Sequence, residues 1–288
     1  MKIHSLRKPQ VSYWIIVGLL IAFAIICIMP FWYVMVSSFS DPQLVREGQF
    51  KLLPTGYSLE AYRVVFRDVR FFNGLKITVL RTVIGTVLAL SVQTMMAYAL
   101  SKKLPGRKLF MKLVVVTILF NGGIIPTFLV VQNLYLVDTF FALILPMVFN
   151  PWNVVLLISF FAAQPQSISE SAKLDGAGEF TIFRKLAVPL AMPAIVTILL
   201  FIAVRHWNEL MDGVIYINSG HLKPMQVYLI ELVMRSTTNT MIEPTEQSLT
   251  AISIQTAVIF ASCLPILAVY PFLQRFFVKG IMIGAVKG

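Results

Sequence analysis

Residues 167–193 read SISESAKLDGAGEFTIFRKLAVPLAMP. The stretch holds three carboxylates (Glu170, Asp175, Glu179), two glycines (Gly176, Gly178) and the basic neighbours Arg184 and Lys185, between runs that lack charge over 139–169 and 186–204. Ser167 stands three residues before Glu170, the spacing of a capping box, so SISESAKLD predicts a short helix beginning there. Gly176 and Gly178 let the backbone turn, and EFTIFRKLAV restarts a helix leading into the next apolar run. The product is a helix–turn–helix elbow whose small residues, Ser171, Ala172 and Ala177, permit close approach by another protein.

The rest of the chain suits lipid. Of 288 residues, 58% are hydrophobic and 13% charged, and the mean hydropathy is +0.81. Soluble domains carry about a quarter charged residues. A bilayer-spanning helix needs about 20 apolar residues. Charge-free windows of that order occur at 9–40, 82–101, 113–137, 139–169, 186–204 and 247–274. They predict an all-α polytopic membrane protein: one transmembrane domain over 1–288, with six spans at about 12–38, 74–101, 109–132, 139–163, 186–206 and 249–275 and the elbow at 166–189. The first window is longer than a signal-peptide core and no small-x-small site ends it, so it reads as a retained span. Prolines 30, 126, 146, 151 and 265 in or near spans are tolerated where neighbouring helices satisfy the backbone.

The net charge of +11 raises nucleic acid as a partner, and its distribution removes it. With alternating spans, one side receives 14 basic and three acidic residues: the basic ones come from the N-terminus, the SKKLPGRKLFMK turn, the elbow and the tail. The other side has 10 of each. The positive-inside rule places both termini and the elbow in the cytoplasm. Cys27 and Cys263 lie in apolar runs and read as small hydrophobes. His4, His206 and His221 are scattered, no metal-ligand spacing occurs, and no nucleophile–base or paired-carboxylate arrangement is present. Gly176-Ala177-Gly178 lacks the Gly-Lys-Ser/Thr of a phosphate-cradling loop, so the chain is expected to hydrolyse no nucleotide itself.

Polar residues within spans are costly and tend to face a cavity. Gln93, Asn121, Asn150, Asn153, Ser253 and Gln255 are the candidates, with Tyr98, Trp152 and Trp207 as aromatic stacking platforms. The plainer alternative is that the amides bond neighbouring helices and the tryptophans anchor at the interface. FNPWN (149–153) combines two amides, a Trp and a helix-breaking Pro. Outside the spans, HWNELMDG (206–213), with Trp207 and Asn208, is placed to reach a substrate or partner. Lys76 can snorkel to the interface, whereas Arg81 lies deeper and either pairs with an acidic residue or meets an anionic ligand.

Glu170-Ser171-Ala172, Asp175-Gly176-Ala177, then Phe183, Leu186, Val188 and Pro189 closely resemble the EAA motif of ABC importer permeases, E-A-A-x-x-D-G-A followed by F-x-x-I-x-L-P. Ser171, Leu186 and Val188 depart from it by small or volume-similar exchanges. Segments 121–146, 206–218, 222–229 and 276–288 are similar to the carbohydrate-uptake, maltose-importer-like permeases, in the LplC/YtcP-type oligosaccharide branch. The resemblance covers the whole chain and implies the type I importer permease fold. It implies one half of a heterodimeric pore, beside a homologous permease. Two ATP-binding subunits carry ATP and Mg, and an extracellular lipid-anchored solute-binding protein delivers an oligosaccharide. It also implies that Glu170 and Asp175 position a coupling helix, Gly176 turns it, Ala172, Ala177 and Phe183 pack it, and Pro189 returns the chain to the membrane. The C-terminal GIMIGAVKG, with Gly280 and Gly284 at GxxxG spacing, is expected to pack on the ATPase. Alternatives are an ABC permease for peptides or another solute, which would share the elbow alone, and an ion-coupled secondary transporter, which predicts inverted repeats and midplane carboxylates.

Overall fold

The structure, a computed structural model, describes residues 11–46, 52–242 and 252–268. Its helices are α1 (Val11–Phe39), α2 (Pro42–Arg46), α3 (Glu60–Val65), α4 (Val69–Ser101), α5 (Arg107–Leu119), α6 (Ile124–Asn133) and α7 (Pro151–Ala162). They continue with α8 (Gln166–Leu174), α9 (Glu179–Ile182), α10 (Val188–Leu190), α11 (Met192–Asn208), α12 (Met211–Tyr216), α13 (Met225–Ile242) and α14 (Ile252–Ala268). No strand occurs among the described residues.

Among the described residues two helices, α1 and α4, are unbroken and long and apolar enough to cross a bilayer, and two bent pairs, if each is one span, raise the number to four. The breaks fall where the sequence carries glycine and proline. Window 109–132 is divided between α5 and α6 at Asn121-Gly122-Gly123, where Gly123 adopts φ +82°. Window 139–163 starts as single-turn helix over Phe140–Met147, then bends by 51° into α7, with Pro146 and Pro151 at the break. Each proline removes one backbone donor, so neither helix can run through. Window 186–206 is divided at Ala191, and Glu179–Leu190 meets Met192–Asn208 at 82°. The helix that carries the second predicted span, α4, begins at Val69, because Arg81, which bounds the charge-free window at 82, ends no helix, and neither do Lys76 and Arg70. For the sixth window, α14 supplies 252–268, and 249–251 and 269–275 lie outside the described residues.

The chain forms two compact units. In the unit made of residues up to Asp68 and Glu231–Leu264, α1 is exposed around most of its circumference, with Leu19, Phe23 and Ile26 each 66% exposed. A helix apolar on every side is stable only in lipid or a large core. At its end the Tyr62 hydroxyl donates to Ser38 Oγ at 2.7 Å, and Phe39 packs against Tyr62 and Phe260.

The unit centred on Val69–Ile230 holds the candidate site. Its core is α4 against α7 and α11, with Ala89, Ala97, Val154, Leu157, Ala194 and Ile198 buried. Lipid tails give no hydrophobic preference for helix association, so the small residues matter by letting helices approach closely. Gly85 is the extreme case: a Cβ there would lie 2.6 Å from the His206 imidazole.

Candidate functional site

The elbow at 166–189 is built by a glycine cap. α8 ends at Leu174, Asp175 is its C-cap and Gly176 follows with φ +81°, a conformation glycine adopts without steric cost. The Gly176 amide donates to the Lys173 carbonyl at 3.0 Å and the Ala177 amide to the Ala172 carbonyl at 2.9 Å. These two bonds define a Schellman motif, in which Ala172 and Ala177 meet at the reversal. The N-terminus differs from the sequence expectation. Pro165, extended at ψ 123°, is the N-cap and makes no side-chain cap bond, so Ser167 already lies in the first turn and no capping box forms. A side-chain cap requires non-helical backbone at the capping residue, and the start at Pro165 denies that to Ser167.

After the turn, α9 passes into a π-helical stretch over Phe183–Ala187 and then α10. Pro189 lacks an amide hydrogen, and Gln164 Nε2 donates to the Ala187 carbonyl at 2.9 Å. The elbow's own candidates divide by exposure. Glu170, Ser171, Asp175, Gly176 and Pro189 are exposed, Ala172, Ala177 and Phe183 half-buried, and Leu174 and Phe180 stand 90% and 70% exposed.

Two residues that no sequence pattern connects with the elbow hold it to α4. Tyr98 packs its ring 5.0 Å from Phe183 and 5.6 Å from Phe161, and its hydroxyl donates to Glu179 Oε2 at 3.2 Å. Lys102 Nζ sits 4.9 Å from the Tyr98 ring centroid and 3.4 Å from Ser169 Oγ. Lys173, which pairs with Glu179 across the turn, holds the Glu179 carboxyl below the usual range, with the Tyr98 hydroxyl assisting. Tyr98 is therefore engaged at the elbow, away from any sugar-stacking role.

A second feature lies at the break before α7. A cavity of about 130 Å³ is lined by Gln93, Asn150 and Asn153, three of the sequence candidates, and by Met147, Arg205 and His206. Phe201 and Ile202 form its apolar side. Asn150 caps α7, accepting from the Asn153 amide at 3.2 Å. Gln93, wholly buried, donates from Nε2 to the Val148 carbonyl at 2.7 Å, and its Oε1 has no partner.

The other candidates lie elsewhere. Trp152 is 62% exposed and does not line the cavity. Asn121 is exposed at the α5–α6 break, where its side chain accepts from Gly123. Asn208 bonds back to the Val204 carbonyl, and the Trp207 carbonyl accepts from Gln226 Nε2 at 3.4 Å. Gln255 belongs to α14 in the other unit. Residues 280–288 lie outside the described residues.

Arg81 takes the first of its two expected roles. Wholly buried, it lies 3.9 Å from Asp212 Oδ2 and donates to the Glu209 carbonyl at 3.2 Å, both in the HWNELMDG segment. Asp138 fixes the next turn of that region, accepting from the Asn218 and Ser219 amides at 3.0 and 2.8 Å and from the Ser219 hydroxyl. These contacts lower the Asp138 pKa, the Ser219 hydroxyl most of all.

A helical membrane chain with a capped, exposed elbow between bent spans has the build of a transporter permease. Among relatives, it is 44% identical over 290 residues to the polygalacturonan/rhamnogalacturonan transport system permease protein YtcP of Bacillus subtilis (strain 168), covering 98% of this chain and 100% of the relative. It is 41% identical over 266 residues to Protein LplC of the same organism, 91% and 90% covered. A crystal structure of a bacterial ABC transporter involved in the import of the acidic polysaccharide alginate contains a chain that matches with TM-score 0.86 at 30% identity, over 94% of this chain and 100% of that one. A second structure, of a bacterial alginate ABC transporter in complex with alginate pentasaccharide-bound periplasmic protein, shares the fold at TM-score 0.55 and 15% identity. No family model matches. The chain belongs to the ABC importer permeases of carbohydrate uptake. It is a permease subunit, and ATP hydrolysis falls to separate ATPase subunits.

Proposed function

We propose that the chain is one half of a heterodimeric, six-span pore in the bacterial cell membrane, with both termini and the elbow cytoplasmic. It imports an oligosaccharide delivered by an extracellular solute-binding protein. A homologous second permease completes the pore, and two ATP-binding subunits, which carry ATP and Mg, drive it. The names of the relatives support a saccharide cargo: one handles polygalacturonan and rhamnogalacturonan, and the alginate transporters an acidic polysaccharide.

The observation that carries the coupling role is the exposed elbow fastened to α4. Leu174 and Phe180 project outward, while Glu179 and Phe183 are held by Tyr98. A rigid elbow transmits a push from a docked ATPase into α4 and, through the 82° bend, into α11. Glu170 and Asp175 set the approach electrostatically, Ser171 leaves room for a partner, Gly176 sets the turn, Ala172 and Ala177 close it, and Pro189 admits the bend. The test is reconstitution with the ATPase subunits, second permease and binding protein in vesicles. Oligosaccharide uptake that requires ATP, and that Leu174→Asp abolishes together with ATPase association, is the expected result. Undiminished uptake by Leu174→Asp would refute the docking role.

A further inference from the structure

The cavity at the start of α7 asks for a ligand of mixed chemistry. Gln93 gives one amide hydrogen to the Val148 carbonyl, and its wholly buried Oε1, an acceptor, has no partner among the described residues. An acceptor left without a partner in a buried site is costly, and a hydroxyl donor removes that cost. His206, also wholly buried, has the Gly85 backbone as a polar neighbour without good hydrogen-bond geometry at either ring nitrogen. The remaining groups favour negative charge. Arg205 lines the cavity with no carboxylate at ion-pair distance among the described residues. Asp212, whose charge it senses, sits at ion-pair distance from Arg81 instead. The positive end of the α7 dipole lies at Asn150 and Asn153 on the same cavity. No acidic side chain among the described residues lines it.

A neutral sugar satisfies the acceptor and can accept from the guanidinium, but leaves its charge uncompensated. A bare carboxylate or phosphate satisfies the guanidinium and presents negative charge to Gln93 Oε1. A uronate unit, with hydroxyl and carboxylate on one ring, satisfies both. The volume, about 130 Å³, is below the 300–1,000 Å³ of an enclosed ligand pocket, so the site reads one edge of one sugar unit and does not hold the oligosaccharide.

We propose that Arg205, with the amide face of Gln93, Asn150 and Asn153, recognises the carboxylate and hydroxyl of a uronate unit as an acidic oligosaccharide passes this subunit. This rests on the reading of the cargo as an oligosaccharide. Arg81 is unsuited to the task because Asp212 and the Glu209 carbonyl already occupy it.

The experiment compares uptake of an oligogalacturonate and of its methyl-esterified counterpart by the complete reconstituted importer. One binding protein is used throughout, so its own preference cancels in the comparison of variants. Arg205→Gln is expected to lower the acid-to-ester uptake ratio about tenfold or more, the loss of one charge-assisted hydrogen bond. Arg205→Lys, which keeps the charge without the fork, retains most of the ratio. A ratio unchanged in Arg205→Gln overturns the assignment. So does equal loss of both substrates in Arg205→Gln and Arg205→Lys, which marks a structural role. If the wild-type importer carries neither sugar, the oligosaccharide reading fails first and this assignment falls with it.

Discussion

The Tyr98 hydroxyl of α4 donates to Glu179 Oε2 of the elbow at 3.2 Å. One hydrogen bond thus joins the end of a 33-residue helix to the first residue after the glycine turn. The Tyr98 ring also lies between Phe161 and Phe183, with Lys102 near its face, so the contact is a packed joint.

Tyr98→Phe keeps the ring and removes the donor. Hydrogen bonds to charged groups contribute about 1.5–3 kcal/mol, and this one is partly solvated, so the lower end applies. Assembly and thermal stability should change little, while sugar moved per ATP hydrolysed falls several-fold as the elbow loosens. An unchanged transport-to-hydrolysis ratio would show that the bond carries no coupling.

Gly176 sits at φ +81° with open space where a Cβ would be, so the cost of a side chain there is backbone strain alone. Gly176→Ala should cost about 1 kcal/mol, and Gly176→Asn less, since Asn visits this conformation more readily. Gly176→Pro, whose ring fixes φ near −65°, should break the Schellman turn and uncouple ATP hydrolysis from uptake. Normal coupling in the proline variant would exclude the rigid-elbow account.

Gly85 and His206 should show strong non-additivity. Gly85→Ala drives a methyl to 2.6 Å from the imidazole, and overpacking of this kind costs about 1–3 kcal/mol. In the Gly85→Ala/His206→Ala double variant the clash is gone, so its loss in melting temperature should be smaller than the sum of the two single losses. Strict additivity would mean that the helices separate to absorb the methyl.

Asp138 gives a pH signature. Its folded-state carboxyl lies below its ordinary value, chiefly through the Ser219 hydroxyl. A depressed folded pKa stabilises the fold above the ordinary carboxylate range, and that contribution is lost as pH falls through the lower folded value. The melting temperature of wild type relative to Asp138→Asn should therefore be highest near neutral pH and converge below about pH 4. A difference constant from pH 7 to pH 3 would show that the carboxylate charge is not what holds the turn.

The elbow was legible because its requirements are local. Two glycines after a short polar helix specify a turn wherever they occur, and the structure forms the full cap at Gly176. The false detail was the capping box at Ser167: Pro165 sets the helix start two residues earlier, and spacing alone cannot distinguish an N-cap from a first-turn residue. Hydropathy located the apolar runs without revealing their bends, since window averages pass over Asn121-Gly122-Gly123 or Pro151 with little change.

Composition and charge placement determined that the chain is an α-helical membrane protein, because burial in lipid leaves the backbone few alternatives and acts on each segment separately. The residue order of 167–193 determined the elbow. The partners of buried polar groups were decided only by tertiary structure. Arg81 and Arg205 both follow apolar runs in the sequence, yet Arg81 is wholly buried against Asp212, whereas Arg205 is exposed beside the cavity. Tyr98 is a stacking candidate by residue type and a joint by position. Which neighbour satisfies a buried group depends on how helices cross, and residues 81 and 212 meet only after the chain between them has folded.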